Sequence, residues 1–227
     1  MELKGNFYAD TFIPSRFTGG KEKDAGEDEG PGPGLFPNDI IMNIAFTADS
    51  IISKDFRARN FSSAIAYRPH VFTFSNIRAE GLEGLLAGNL ILGRQNDGSY
   101  LTRARLEVTD IEISSAFSSF NNFGQKFIVS KNLQGRLTGN VTILSPLDTN
   151  FRISARALIA EAHLSVVNGH LKDFKPVESL SSFIDLDEMK DIAFSKLEND
   201  LYIRNSSLTI PKMLINSSAG NFTMYGT

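Results

Sequence analysis

The stretch that decides the fold covers residues 133–143 and reads LQGRLTGNVTI. Its odd-numbered positions are apolar residues or glycine, whereas its even-numbered positions are Gln, Arg, Thr and Asn. Because successive side chains of a β-strand point to opposite faces of the sheet, this alternation predicts a strand with one apolar and one polar face. The sequence therefore predicts a one-sided sheet.

The same alternation returns along most of the chain, most clearly in residues 40–49 and 101–108. Further strands are predicted at residues 3–9, 56–67, 71–80, 85–92, 151–167, 201–204, 208–215 and 221–225. The short segments 96–98, 168–169 and 205–206 contain Asn, Asp, Gly and Ser, which suit tight hairpin turns. Consecutive strands joined by short turns predict an antiparallel meander.

Two helices are predicted to interrupt the strands. In residues 110–122 apolar side chains recur every three or four positions, with Phe117 and Phe120 on one face, and residues 176–191 repeat the pattern with Phe183. We expect these phenylalanines to face the sheet, either as ordinary core or as caps on an apolar groove. The predicted fold class is mainly β with two short helices: a long curved antiparallel sheet forming a β-groove or a partly open sandwich, with the helices capping it or packing on it.

Composition excludes several kinds of function. The 227 residues contain no Cys and three His, which excludes a thiol nucleophile and leaves little material for a metal site. Five acids stand against two bases in residues 21–29, and acids and bases balance elsewhere, so nothing favours nucleic acid as a partner. No nucleotide-binding or hydrolase motif occurs. We therefore expect no enzyme activity, no catalytic residues, no metal and no cofactor.

A polar segment divides the first predicted strand from the others. Residues 19–34 read GGKEKDAGEDEGPGPG and offer almost no apolar side chain to bury, so we expect a disordered linker within a single domain covering residues 1–227. His163 and His170 flank the turn predicted at residues 168–169. With no obvious carboxylate partner in the sequence, they are interpreted as surface residues rather than a metal pair.

Phenylalanine is abundant, with 18 Phe and no Trp. A filled sandwich would use these side chains as core, whereas a curled single sheet would leave an apolar trough. The apolar faces of three predicted strands supply the candidate groove residues, which are Ile44, Phe46, Leu106, Val108, Leu133, Leu137, Val141 and Ile143. Phe117, Phe120 and Phe183 are the candidate caps.

The C-terminal third contains a recognisable succession of short patterns. Residues 168–177 read NGHLKDFKPV, a predicted short helix follows at residues 180–189, and residues 192–197 read IAFSKL. Residues 208–211 then read LTIP, and residues 214–219 read LINSSA. This succession resembles the C-terminal region of the AsmA family over residues 133–227, and more weakly over residues 36–130. The patterns are loose and apolar rather than catalytic motifs.

The resemblance implies an envelope protein of Gram-negative-type bacteria, held in the inner membrane by an N-terminal helix and extending a lipid-binding β-groove across the periplasm. Family members are associated with phospholipid transport towards the outer membrane and with its assembly. Phospholipid or another acyl-chain lipid, the inner membrane and envelope assembly proteins are thus the implied partners. Because the anchor and most of the family's length are missing, we expect this chain to be a fragment of an anchored protein.

Three functional hypotheses follow. The leading one is a non-enzymatic lipid conduit whose apolar side chains shield acyl chains from water. The alternative is a structural or protein-binding β-sandwich module in outer-membrane protein assembly. The third, an enzyme of envelope polysaccharide metabolism, would need paired carboxylates that the sequence does not place.

Overall fold

The computed structural model describes residues 1–14, 37–124, 129–149, 151–154, 156–173, 190–218 and 220–226. Within these residues eleven strands form one sheet, and their order in the sheet equals their order in the chain. The strands are β1 (Glu2–Phe12), β2 (Ile41–Ser53), β3 (Phe56–Arg68), β4 (Val71–Gly81), β5 (Gly84–Arg94), β6 (Tyr100–Glu112), β7 (Leu133–Leu147), β8 (Ile159–Lys172), β9 (Asp191–Arg204), β10 (Ser207–Ser217) and β11 (Gly220–Gly226). Helix α1 (Ile113–Ser119) and 3-10 turns at Asn121–Gly124 and Ser130–Asn132 lie between β6 and β7. The prediction of a mainly β protein built on one long curved, open sheet is confirmed.

Strand pairing follows the predicted meander with one exception. All neighbours from β2 to β11 are antiparallel. The first strand instead runs parallel to β2, with Gly5 opposite Ile44. A parallel pair needs a connection of about a dozen residues or more, and the chain between Phe12 and Ile41 is long enough to provide it.

Asn and Asp residues interrupt the hydrogen-bond ladder at four positions. Asn60, Asn76, Asp110 and Asn168 have φ angles of 51°, 54°, 54° and 52°. The register between neighbouring strands shifts beside each of them. Asn and Asp adopt this left-handed conformation more readily than other residues that have a side chain. An extra residue in one strand of a pair forms a β-bulge, which bends that strand and increases its twist. These four β-bulges therefore contribute to the curvature of the sheet.

The bulges also keep the apolar face continuous. In β6 the buried residues Ala104 and Val108 are an even number of positions apart, but the next one, Ile111, follows after three. In a regular strand a shift of one residue moves a side chain to the opposite face. The extra residue at Asp110 compensates for this shift, so Ile111 stays on the face of Val108 and lies opposite Leu137.

Several predicted boundaries of helices, turns and strands differ from those in the structure. The helix predicted at residues 110–122 is shorter, because Asp110 and Ile111 remain in β6. The hairpin turn predicted at residues 168–169 is wrong, since both residues lie inside β8, where the left-handed Asn168 forms a bulge instead of a turn. The strand predicted at residues 151–167 begins at Ile159, and the strand predicted at residues 201–204 extends back to Asp191.

The turns predicted at residues 96–98 and 205–206 are confirmed. The Gly98 amide donates to the Gln95 carbonyl at 3.0 Å, and Asn205 and Ser206 adopt positive φ angles. The linker predicted at residues 19–34, the cap candidate Phe183 and nearly all of the helix predicted at residues 176–191 lie outside the described residues.

Candidate functional site

An apolar row crosses the sheet from β2 to β10. Residues that are directly opposite each other in neighbouring strands share a face. The successive partners in this row are Ile44, Ile65, Phe74, Leu90, Ala104, Ile143, Ala160, Ile203 and Leu208. A second row on the same face contains Ile77, Gly88, Leu106, Val141, Ala162 and Leu201. We call these two rows the trough floor.

The opposite face of the same strands is more polar. One row between the two floor rows contains Asn89, Arg105, Thr142, Glu161 and Tyr202. On this face Arg204 Nη2 lies 3.1 Å from Glu161 Oε1. The neighbouring row on this face contains Thr73, Ile91, Arg103, Leu144 and Ile159, so this face is mixed but is the more polar of the two.

Two packed clusters flank the trough floor at the two ends of the strands. At one end the tyrosine cluster consists of the buried Tyr67 and Tyr100 with Ile40, Met42, Phe72, Leu92, Leu147 and Phe151. At the other end lies the helix cluster. Its buried residues are Val108 and Ile111 of β6 and Ala116 of α1, and Leu82, Leu86 and Leu137 pack against them. The floor thus runs across the strands, between one wall of aromatic side chains and one wall built on α1.

The trough floor itself is only partly covered. Ala104 and Ala160 are buried, but the large side chains of Ile44, Phe74, Leu106 and the other floor residues are half-buried, and Leu208 is exposed. A filled sandwich would bury such residues beneath a second sheet. The described residues form a single sheet, and α1 covers only the helix-cluster end.

The candidate groove residues lie at four different places in the structure. Ile44, Leu106, Val141 and Ile143 lie on the trough floor. Phe46 lies on the same face opposite Ser63, where its ring meets Phe61 and Phe12 at centroid distances of 5.9 and 5.1 Å. Val108 and Leu137 instead belong to the packed helix cluster. Leu133, the first residue of β7, lies opposite Leu171, beyond the bulge at Asn168.

The two described cap candidates behave differently from one another. Phe117 is half-buried in α1, whereas Phe120 is 46% exposed. The Phe120 ring stacks on Phe56, at the start of β3, with ring centroids 5.8 Å apart. Phe120 thus contacts the end of the sheet with one ring face and leaves nearly half of its surface exposed to solvent.

Sequence reasoning missed the floor residues of β3, β4, β5 and β9, including Ile65, Phe74, Leu90 and Leu201. The strands themselves were recognised, but the bulges at Asn60 and Asn76 break the simple alternation that would mark one apolar face. The usable signal is an Asn or Asp followed by a one-residue shift of the apolar pattern.

The histidines lie in β8 and each has a carboxylate partner from β9. His163 Nδ1 is 2.8 Å from Asp200 Oδ1, and its Nε2 is 3.3 Å from Glu198 Oε1. His170 Nδ1 is 2.8 Å from Asp191 Oδ1. The hydrogen bond to Asp200, aided by Glu198, raises the pKa of His163 above its ordinary value. In the part of the chain that the structure describes, no group of three or more His, Asp or Glu side chains is arranged to hold a metal ion.

A separate cleft of about 720 Å³ lies beside the bulges of β3 and β6, away from the trough floor. Its charged lining residues are Arg57, Arg59, Glu80, Glu83 and Asp110. Because bases and acids are mixed there, the cleft presents no surface of one charge. We therefore locate the candidate site in the trough, where chemistry is uniform over many strands.

Comparison with models of known protein families, with curated proteins and with solved structures found no match. Among the described residues no helix is both long and apolar enough to cross a membrane.

Proposed function

We propose that this chain is a non-enzymatic lipid-binding segment, in which the trough floor shields acyl chains from water. The observation that carries the proposal is the half-buried apolar floor, which extends over nine strands with only one short helix beside it among the described residues. Covering apolar surface is favourable by roughly 25 cal/mol per Å². A long hydrocarbon chain lying across the strands would cover this surface continuously.

The resemblance to the AsmA family extends the proposal to the cellular setting. On that basis the segment belongs to a protein anchored in the inner membrane, works in the periplasm and supports phospholipid transport to the outer membrane and its assembly. The curved, one-sided sheet is the architecture that such a conduit needs. The competing function, a structural or protein-binding sandwich module, requires a second layer over the trough floor.

Mass spectrometry of organic extracts from the purified protein tests the proposal directly. We expect phospholipid to co-purify with the wild-type chain. Val141→Asp places a carboxylate on the open floor, where water can still reach it, so the variant should fold normally and lose most of the bound lipid. Thr142→Asp is the matched control, because this neighbouring, exposed side chain lies on the polar face; it should keep wild-type lipid.

Leu137→Asp distinguishes the open floor from the packed wall. Leu137 is half-buried but packs against the buried residues of the helix cluster, so its replacement sets a carboxylate against Val108, Ile111 and Ala116 and should unfold the domain, as seen by circular dichroism. If Val141→Asp also unfolds the protein, the floor is an interior and the sandwich module is favoured. Absence of lipid from the wild-type protein would likewise contradict the conduit.

A further inference from the structure

Several strands have an arginine as their last residue at the tyrosine-cluster end of the sheet. Three of the strands that arrive at the tyrosine-cluster end, β3, β5 and β9, each finish in an arginine: Arg68, Arg94 and Arg204. Another strand that arrives there, β7, is followed by Arg152 and Arg156 in its connection to β8. Arg68 and Arg204 each follow an apolar-face residue, Tyr67 or Ile203, by one position and therefore lie on the polar face of the sheet. We call the other three residues, Arg94, Arg152 and Arg156, the arginine rim.

The opposite side of the trough differs in charge and in residue type. On the described connections at the tyrosine-cluster end, from β3 to β10, the acids are Asp97 and Asp148, and there is no lysine. Asp97 accepts hydrogen bonds from the Ser99 amide and hydroxyl, and Asp148 accepts one from the Arg152 amide. At the helix-cluster end, the described connections and adjoining strand ends carry Lys54, Lys131, Lys172 and Lys190 against Asp55, Glu83, Glu112, Asp173 and Asp191. Among the residues that the structure describes, positive charge is thus in excess at the tyrosine-cluster end and not at the helix-cluster end.

Two of the rim guanidinium groups are available for a ligand. Arg68 donates to the Met42 and Tyr67 carbonyls and to the Asn43 side chain, and Arg204 pairs with Glu161. The guanidinium groups of Arg94 and Arg156 have no hydrogen bond or ion pair within the described residues, and both residues are exposed. These two arginines therefore retain their full donor capacity.

Arg94 lies on the same face of the sheet as the trough floor. It is directly opposite Tyr100 in the ladder, and the Tyr100 ring belongs to the tyrosine cluster on the apolar side of the sheet. Leu92 of the same cluster precedes Arg94 by two residues, which is about 7 Å along a strand. A molecule with an apolar body against the floor and an anionic group at its end would meet both surfaces.

From this charge asymmetry we infer that the arginine rim binds the phosphate of a phospholipid headgroup, so that lipids lie in the trough with their headgroups at the tyrosine-cluster end. The inference rests on the proposed lipid function and adds the headgroup chemistry and the direction of the bound lipid. Arginine suits the task because its planar fork donates two parallel hydrogen bonds to a phosphate.

The test compares two lipids with identical acyl chains, phosphatidylglycerol and diacylglycerol, in a direct binding assay with the full chain. The wild-type protein should bind the phospholipid at least five-fold more tightly, and rising salt should weaken phospholipid binding alone. The double variant R94Q/R156Q should reduce the preference to within two-fold while diacylglycerol binding is unchanged. The matched control K54Q/K131Q removes the same charge from the opposite side and should keep the wild-type preference.

The other outcomes separate the two proposals. Equal binding of both lipids by the wild-type protein, or a preference that survives in R94Q/R156Q, would overturn the arginine rim and leave the lipid trough standing. Failure to bind either lipid would overturn the lipid function and the rim together. Glycerol phosphate, which lacks acyl chains, should bind at least a hundred-fold more weakly than the phospholipid; similar affinities would show a site for soluble anions instead.

Discussion

At the scale of single residues, His163 is the titratable group with the clearest environment. Its ring nitrogens face Asp200 and Glu198 across the β8–β9 pair on the polar side of the sheet. Lys196 Nζ lies 2.5 Å from Glu198 Oε2, so these side chains form a small charged network rather than an isolated pair. Since the His163 side chain is exposed, we expect this network to change the pKa of His163 and to contribute little to the free energy of unfolding.

We predict that His163 titrates above its ordinary pKa of 6.5, because the protonated ring is stabilised first by the hydrogen bond to Asp200. Asp200→Asn should lower the pKa of His163 towards the ordinary value. Since the folded-state pKa is the higher one, the associated stabilisation is present below the unfolded pKa and lost as pH rises through the folded one. An NMR titration of the imidazole provides the measurement; an unchanged pKa in Asp200→Asn would refute the assigned cause.

At the scale of secondary-structure elements, the bulges explain how strands of 11 to 15 residues stay one-sided while the central sheet curves. Asn76 in β4 illustrates the device. Its φ angle is 54°, its amide donates to Asn89 Oδ1 at 3.0 Å, and the register between β4 and β5 shifts between Phe74 and Ile77. The apolar positions consequently change from Phe74 to Ile77 without leaving the trough floor.

Substitutions at Asn76 should separate backbone strain from side-chain contacts. Asn76→Ala should lower the free energy of unfolding by about 1–2 kcal/mol, because alanine pays more to adopt a left-handed conformation. Asn76→Gly should be close to wild type, since glycine adopts positive φ readily. Urea denaturation of the three proteins gives the comparison. Equal destabilisation by alanine and glycine would attribute the effect to the lost side chain instead of the backbone.

At the scale of the whole molecule, the two packed clusters and the open floor between them give the protein a native apolar surface. The tyrosine cluster and the helix cluster bury Tyr67 and Ile111 almost completely, with exposures of 1% each. These clusters anchor the ends of the strands, so the floor between them can stay open without loss of the fold. The residues that stabilise the fold are therefore different from those of the proposed lipid contact, although both lie on one face.

A fluorescent apolar dye should accordingly bind the native protein and be displaced by phospholipid. The bound dye should coexist with a single cooperative unfolding transition, because the clusters remain packed. Val141→Asp should weaken dye binding several-fold, whereas Thr142→Asp should leave it unchanged. Dye fluorescence that rises only when the protein unfolds would contradict a native open trough.

Residues 133–143 show what a local sequence pattern can predict and what it cannot. Their alternation is a property of neighbouring residues in the chain, so it correctly placed Leu137 and Val141 on one face of a strand. It could not distinguish them, because what covers a side chain depends on segments far away in the sequence. Leu137 packs against the buried residues of the helix cluster, Ala116 of α1 among them, whereas Val141 belongs to neither of the two clusters found among the described residues.

The sequence by itself determined that the chain would form one-sided strands, short turns and a mainly β fold, because each of these depends on side-chain alternation and local backbone preference. Tertiary structure decided the parallel pairing of β1 and the use of Asn168 as a bulge instead of a turn. It also brought Arg68, Arg94 and Arg204 to one end of the strands, with Arg94 on the face of the trough floor and the other two on the polar face. These features arise from register between strands, which fixes distances between residues that the chain itself keeps far apart.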